Sequence, residues 1–335
     1  MTANEPDLKT LIRKLEKRHQ KKQATTALLA GTAVLGLIVL ISPLFTKQES
    51  QPIVEVPGPV APLTGPDAYA NTKIEAKAAI VYDLTTQEVL YAKNSRSQLP
   101  LASLTKLLTM YAASDSLKPD ATVVMTASAL ASEGESGFTE GETFAFKDLA
   151  RIALVASSND ATSAIAETAA IAKATSGQNM LASAVSAMGL SQTYAINGTG
   201  LDESTSVSGG YGSAYDVATL SGALLTKAPD IAHATIASSL TIRSKEGVLH
   251  TLKNTNPDVV RVPNLLLSKT GFTDLAGGNL AVVFDAGIGH PVAIVVLGSS
   301  IDGRFRDVDK LLSLTLDHFA GIDPSSQTAA VGNAL

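Results

Sequence analysis

Three short stretches of this chain carry residue types that could perform acyl transfer. Ser103-Leu104-Thr105-Lys106 sets a hydroxyl and an amine three residues apart, on one face of a helix that reads as starting near Pro100. Ser157-Ser158-Asn159 and Lys269-Thr270-Gly271 follow later in the chain. S-x-x-K, S-x-N and K-T-G in this order are a motif set of serine acyl-transfer sites. A serine hydroxyl is a poor nucleophile until a neighbouring base takes its proton, and the chain has no Ser-His-Asp signature. A lysine can serve as that base when desolvation and a nearby second cation lower its pKa. Lys106 on an apolar helix, with Lys269 brought in as a cation on a strand, would meet both conditions. Ser157 could relay the proton towards a leaving amine, and Asn159 could hold a substrate amide. Thr270 and the cationic groups would suit a substrate carboxylate, and Gly271 would let the strand backbone approach the acyl group closely. Each residue also has a structural reading: Ser103 and Ser157 as caps, Lys106 snorkelling to water, Asn159 in a turn, Lys269 at a strand edge. The order of the three motifs, at a helix start, a helix break and a strand, favours the chemical reading.

The elements that must position these groups are visible in the hydrophobic pattern. Ala76–Lys93 reads as two β-rich runs around the polar turn Thr85–Gln87. Asp148–Ala174 gives two helical patterns interrupted at Ser157–Asn159, and Ala214–Leu225 gives another helix. Asn264–Thr273, Gly278–Gly287 and His290–Ser300 read as three apolar strands, and Arg306–Phe319 as a closing helix. The glycine clusters Gly198–Gly200 and Gly209–Gly212 lack a strand–GxGxxG–helix context and read as turns. Strands early and late with helices between predict an α+β domain: one antiparallel sheet from both ends of the domain, flanked by helices, with a helical subdomain beside it.

Composition excludes other chemistry. The chain has 335 residues, 26 Lys+Arg against 31 Asp+Glu and a net charge of −5, with no basic bias for nucleic acid. Absence of cysteine removes thiol nucleophiles and thiolate metal sites. Five scattered histidines form no HExxH, so neither a metal nor a cofactor is expected.

Residues 1–23 are rich in Lys and Arg, and Ala24–Phe45 is uncharged and long enough to cross a hydrocarbon core of about 30 Å. The positive-inside rule then predicts a single membrane span, N-terminus in the cytoplasm and the rest exported. The run is longer than a signal-peptide core and no A-x-A site closes it, so a retained anchor is expected over a cleaved leader. Residues 46–73 contain Pro52, Pro57, Pro59, Pro62 and Pro66 and read as an extended linker. Residues 74–321 are the expected catalytic domain and 322–335 a polar tail.

The chain resembles the serine D-alanyl-D-alanine carboxypeptidases, the low-molecular-mass penicillin-binding proteins of peptidase family S11. The three motifs carry the resemblance, together with segments such as "FTEGETFAFKDLARIALVASSNDATSAIAE", "AMGLSQTYAINGTGLD" and "LLLSKTGFTDLAGGNLAVV", over roughly Ile74 to Phe319. It implies the fold shared by penicillin-binding proteins and serine β-lactamases. It implies Ser103 as acyl-enzyme nucleophile, an oxyanion hole from the backbone N–H groups of Ser103 and Phe272, and an arginine for the substrate carboxylate, for which Arg304 is the candidate and Arg306 the alternative. The implied substrates are peptidoglycan stem peptides, with β-lactams as covalent inhibitors. Many family members continue into a small β-rich domain and an amphipathic anchor. Here the polar segment Gly321–Leu335 follows the catalytic region, and the N-terminal span is expected to take over anchoring. A D,D-endopeptidase would use the same groups. A serine β-lactamase lacks support, since no E-x-x-L-N motif occurs, and a silent peptidoglycan or β-lactam binder would have no need of the nucleophile.

Overall fold

Strand β1 (Ala78–Asp83) is buried along its whole length, and the reason sets the architecture: both faces of its sheet are covered. The computed structural model describes residues 68–134 and 137–321; the basic tail, the apolar run 24–45, most of the proline-rich linker and the tail 322–335 lie outside them. The remaining strands are β2 (Val89–Lys93), β3 (Leu99–Pro100), β4 (Thr122–Val124), β5 (Thr143–Ala145), β6 (Tyr194–Ala195), β7 (Gly210–Gly212), β8 (Ser239–Arg243), β9 (Leu249–Lys253), β10 (Leu265–Thr273), β11 (Gly277–Asp285) and β12 (Pro291–Ser299). The helices are α1 (Thr105–Ala113), α2 (Ala127–Leu130), α3 (Phe146–Val155), α4 (Asn159–Ala172), α5 (Gly177–Met188), α6 (Ala214–Lys227), α7 (Pro229–His233) and α8 (Gly303–Ala320).

The principal sheet is five-stranded and antiparallel, in the order β10-β11-β12-β1-β2, so both ends of the domain share it as the sequence predicts. Successive side chains leave opposite faces. Ile80, Tyr82, Val283, Ala293 and Val295 point into the core formed with the helical cluster. Val81, Val282, Phe284, Ile294 and Val296 point the other way, against Val308, Leu311 and Leu312 of α8. Each such aliphatic side chain contributes up to about 1.5–3 kcal/mol on burial. The double coverage explains the unbroken apolar runs of β1, β11 and β12, where a one-sided sheet would alternate.

Three sequence expectations need correction. The domain begins before Ile74: Ala68 and Tyr69 are buried in the α8-side core, the Tyr69 hydroxyl lies 3.0 Å from Thr315 Oγ1, and its ring sits 5.5 Å from that of Tyr91. The proline-rich composition running up to Pro66 conceals this aromatic anchor. Gly210–Gly212 is a strand, not a turn. A Cβ at Gly210 would lie 2.2 Å from Thr105 Oγ1, and one at Gly212 2.7 Å from Thr193 Oγ1, so these glycines serve close packing. The last helix starts at Gly303, three residues earlier than its apolar period suggests, because Ser300 holds its first turn, accepting from Gly303 N at Oγ (3.0 Å) and from Arg304 N at its carbonyl (3.1 Å). The Asp307 carboxylate accepts from Glu75 N (2.9 Å), Ala76 N (2.8 Å) and Ser299 Oγ (2.7 Å), tying the chain's entry into the sheet to this helix. Arg304 sits in the first turn of α8. The small β8–β9 and β4–β5 pairs are further additions that the sequence pattern missed.

Candidate active site

The hydroxyl and the amine of S-x-x-K meet because the chain winds tightly there. Pro100 belongs to β3, paired with Tyr211, and a 3-10 turn (Ala102–Leu104) precedes α1. Residues i and i+3 nearly eclipse in such a turn, which sets Lys106 against Ser103. Neither the turn nor α1 has a side-chain cap at its start, so Ser103 is not a capping residue. Ala102 holds φ at 47°, an uncommon conformation for a residue with a Cβ, immediately before Ser103.

Lys106 does not snorkel. It is 0% exposed, and Nζ lies 2.8 Å from Ser103 Oγ, 2.7 Å from Asn159 Oδ1 and 2.9 Å from the Thr199 carbonyl oxygen. Burial lowers its pKa to about 7. The three partners define what the neutral amine can do. It has two N–H groups and one lone pair; Asn159 Oδ1 and the Thr199 carbonyl are acceptors only, so they take the two N–H groups. The lone pair then faces the Ser103 hydroxyl, positioned to receive its proton.

Ser157 and Asn159 flank the break between α3 and α4. Ser158, not Ser157, caps α4 by accepting from Ala161 N (3.1 Å). Ser157 is thrown out of the helical path with φ 58° and turns towards Lys269, whose Nζ lies 2.8 Å from its Oγ. Asn159 has partners within the protein that its sequence reading did not include. Both ends are engaged within the protein: Oδ1 by Lys106, and Nδ2 by the Glu133 carbonyl at 2.5 Å. Its work here is to orient the lysine.

The strand β10 supplies Lys269, Thr270, Gly271 and Phe272 at the edge of the sheet. Lys269 is buried and also donates to the Thr270 carbonyl (2.8 Å). Its pKa is driven well down, first by burial and then by the positive charges of Lys106 and Arg304. The sequence reading had Lys269 as the standing cation that depresses Lys106. Burial is the first cause of the lowering at both lysines, and the repulsion between them disfavours both being charged at once. A substrate carboxylate beside Lys269 would favour its charged form. Thr270 Oγ1 lies 2.6 Å from Thr255 Oγ1, a partner that sequence reasoning missed. A Cβ at Gly271 would lie 2.9 Å from the Leu101 carbonyl and 3.3 Å from Ser103 N, so glycine lets β10 press against the serine's own backbone. Phe272, next along, is 45% exposed. Arg304 donates from Nη1 to the Gly271 carbonyl (2.8 Å), bracing the K-T-G strand, while its Nε is buried with no hydrogen-bond partner among the described residues. Arg306 points away to an exposed pair with Glu75 and takes no part in the site.

The loop carrying Thr199 is the largest omission of the sequence reading, since its contribution is a backbone oxygen. Its seat on the 3-10 turn is tight. Gly200 has φ 79°, and a Cβ there would lie 1.9 Å from the Ala102 carbonyl oxygen. Gly200→Ala is therefore expected to cost about 1–3 kcal/mol or more through overpacking and strain, lowering the thermal midpoint by at least several degrees. An unchanged midpoint in a thermal melt would contradict this packing.

Comparison with known proteins decides the relationship. The sequence model of the D-alanyl-D-alanine carboxypeptidase family, peptidase S11, matches residues 66–300. The chain belongs to that family. It is 32% identical over 281 residues to D-alanyl-D-alanine carboxypeptidase DacD of Salmonella typhimurium, covering 78% of this chain and 67% of the relative. It is 32% identical over 251 residues to D-alanyl-D-alanine carboxypeptidase DacF of Bacillus subtilis, covering 73% of this chain and 63% of the relative. The chain thus spans about two thirds of the length of these curated relatives. Among solved structures, penicillin-binding protein D2 from Listeria monocytogenes, in its ampicillin-bound form, superposes with a TM-score of 0.63 at 25% identity, covering 73% of this chain and 98% of that one. As a member of the D-alanyl-D-alanine carboxypeptidase family the chain is a serine-type peptidase with the penicillin-binding-protein fold, and the match from residue 66 agrees with the packed Ala68 and Tyr69.

Proposed function

We propose that this chain is a membrane-tethered D,D-carboxypeptidase that removes the terminal D-Ala from peptidoglycan stem peptides through an acyl-enzyme on Ser103, and that penicillins acylate the same serine. The observation that carries the reading is the Lys106 amine, buried, depressed to about 7 and fixed by two acceptors so that its lone pair meets Ser103. Lys106 takes the Ser103 proton as Oγ attacks the penultimate D-Ala carbonyl. The developing oxyanion is received by the backbone N–H groups of Ser103 and Phe272, the first of which Gly271 allows β10 to approach. The C–N bond breaks, the proton taken up by Lys106 is relayed through Ser157 to the departing D-Ala nitrogen, and an ester remains on Ser103. Water then cleaves the ester, releasing the shortened peptide and returning the serine hydroxyl. Lys269, Thr270 and Arg304 form the electropositive end of the site for the terminal carboxylate, and that anion favours the charged form of Lys269. A β-lactam carries a comparable carboxylate and a strained amide, so it enters the same sequence of steps.

The anchoring rests on Ala24–Phe45 and its basic flank. Among the described residues no helix is long and apolar enough to cross a membrane, and this run lies outside them. Two experiments test the proposal. Incubation with a pentapeptide ending in D-Ala-D-Ala and with a cross-linked muropeptide dimer separates trimming from cross-link cleavage: release of free D-Ala supports the carboxypeptidase, while cleavage of the dimer alone would replace it with an endopeptidase. Protease added outside spheroplasts should digest residues 74–321, and a protected domain would overturn the topology.

A further inference from the structure

The loop from Asn197 to Glu203 gives the site one atom, the Thr199 carbonyl oxygen, and its internal bonds converge on one side chain. Asn197 Oδ1 accepts from Gly200 N (2.7 Å), Thr199 N (3.2 Å) and Thr199 Oγ1 (3.0 Å). Its Nδ2 donates to the Leu201 carbonyl (3.0 Å) and to Glu203 Oε1 (2.6 Å). The Gly200 N–H and the Thr199 C=O belong to one peptide group, which is planar and trans, so the two bonds point in opposite directions. Clamping the N–H on Asn197 aims the carbonyl the other way, where it meets Lys106 at 2.9 Å.

We propose that Asn197 is a positioning residue for the general base: it fixes the Thr199–Gly200 peptide so that its carbonyl takes one N–H of the Lys106 amine and the lone pair is left facing Ser103. The inference rests on the reading of Lys106 as the base of an acylating serine. With the carbonyl released, Asn159 alone holds the amine, and the second N–H turns to Ser103 as often as the lone pair does. Acylation then slows although the nucleophile, the base and the carboxylate-binding groups are all intact. The carbonyl also favours the ammonium over the amine, so its loss lowers the pH at which Lys106 gives up its proton. The charged groups on the surrounding elements are Lys269 on β10, Arg304 on α8, Asp160 on α4, and Asp202 and Glu203 on the loop itself. All of them remain in the variants.

The test is the rate of Ser103 acylation by a fluorescent penicillin against pH, resolved into initial binding and the acylation step, for wild type, Asn197→Ala and Asn197→Ser, with thermal melts to establish folding. Asn197→Ala is expected to slow the acylation step on the order of tenfold, with little change in initial binding, and to move the acid-limb midpoint below the wild-type value. Serine retains a shorter acceptor and should fall between the two. A folded Asn197→Ala protein with the wild-type rate, or with a reduced rate and an unmoved midpoint, would overturn the positioning role. Should the alanine variant not fold, the serine variant carries the same comparison: a lowered rate and midpoint support the role, and wild-type values for both reject it. Failure of the wild-type protein to acylate would instead reject the functional reading itself.

Discussion

Ser103→Ala is expected to abolish covalent capture of penicillin while leaving the fold intact. The side chain is half-buried, makes no cap and has, among the described residues, one hydrogen-bond partner, Lys106 Nζ at 2.8 Å, so little of the packing depends on its oxygen. Nothing else near the oxyanion position is a comparable nucleophile: the Ser157 hydroxyl is engaged by Lys269, and the Thr270 hydroxyl by Thr255. Intact-mass measurement after incubation with a penicillin should show an adduct on the wild-type protein and none on the variant, with similar thermal midpoints. An adduct on the alanine variant would move the nucleophile elsewhere.

Lys106→Arg should lose acylation by a factor on the order of 10²–10⁴, the range attributed to general acid–base groups. Arginine stays protonated at any working pH and cannot accept the Ser103 proton. In the wild-type enzyme burial sets Lys106 to about 7, so the acylation rate should rise with pH through that value as the amine loses its proton. The arginine variant should lack that rise. Lys269→Arg keeps a cation beside Ser157 and the substrate carboxylate, although the buried slot suits an amine, with contacts at 2.8 Å to Ser157 Oγ and the Thr270 carbonyl. It should retain more activity than Lys106→Arg. The second-order acylation rates of both variants from pH 6 to 10 decide this, and the assignment fails if Lys106→Arg acylates like wild type or if Lys269→Arg is the more damaged.

What could be read from the sequence was what is local or periodic. Ser103 and Lys106 are joined by a single turn, and the sheet's long apolar runs announce strands. The interruption at Ser157–Asn159 likewise exposes a helix break. What escaped was set by partners distant in the chain or by backbone atoms. The Thr199 carbonyl reaches Lys106 across 93 positions, and no side-chain pattern marks a carbonyl as functional. Asn159 was recognised as a site residue but its bond to Lys106 escaped, because a residue type does not reveal which way its amide faces. The Lys106–Lys269 pair was anticipated, but the Arg304 charge beside Lys269 required knowing that it too is brought under cover from solvent. Tyr69 was lost among prolines, although its burial against Thr315 and Tyr91 makes it the first fixed point of the domain.

The most direct measurement is mass-spectrometric analysis of the purified protein incubated with a diacetyl-Lys-D-Ala-D-Ala peptide and, separately, with a penicillin. Catalytic release of one D-Ala per peptide, together with a long-lived penicillin adduct that maps to Ser103, is the expected result. An unchanged peptide, or rapid hydrolysis of the penicillin with no action on the peptide, would contradict a serine D,D-carboxypeptidase.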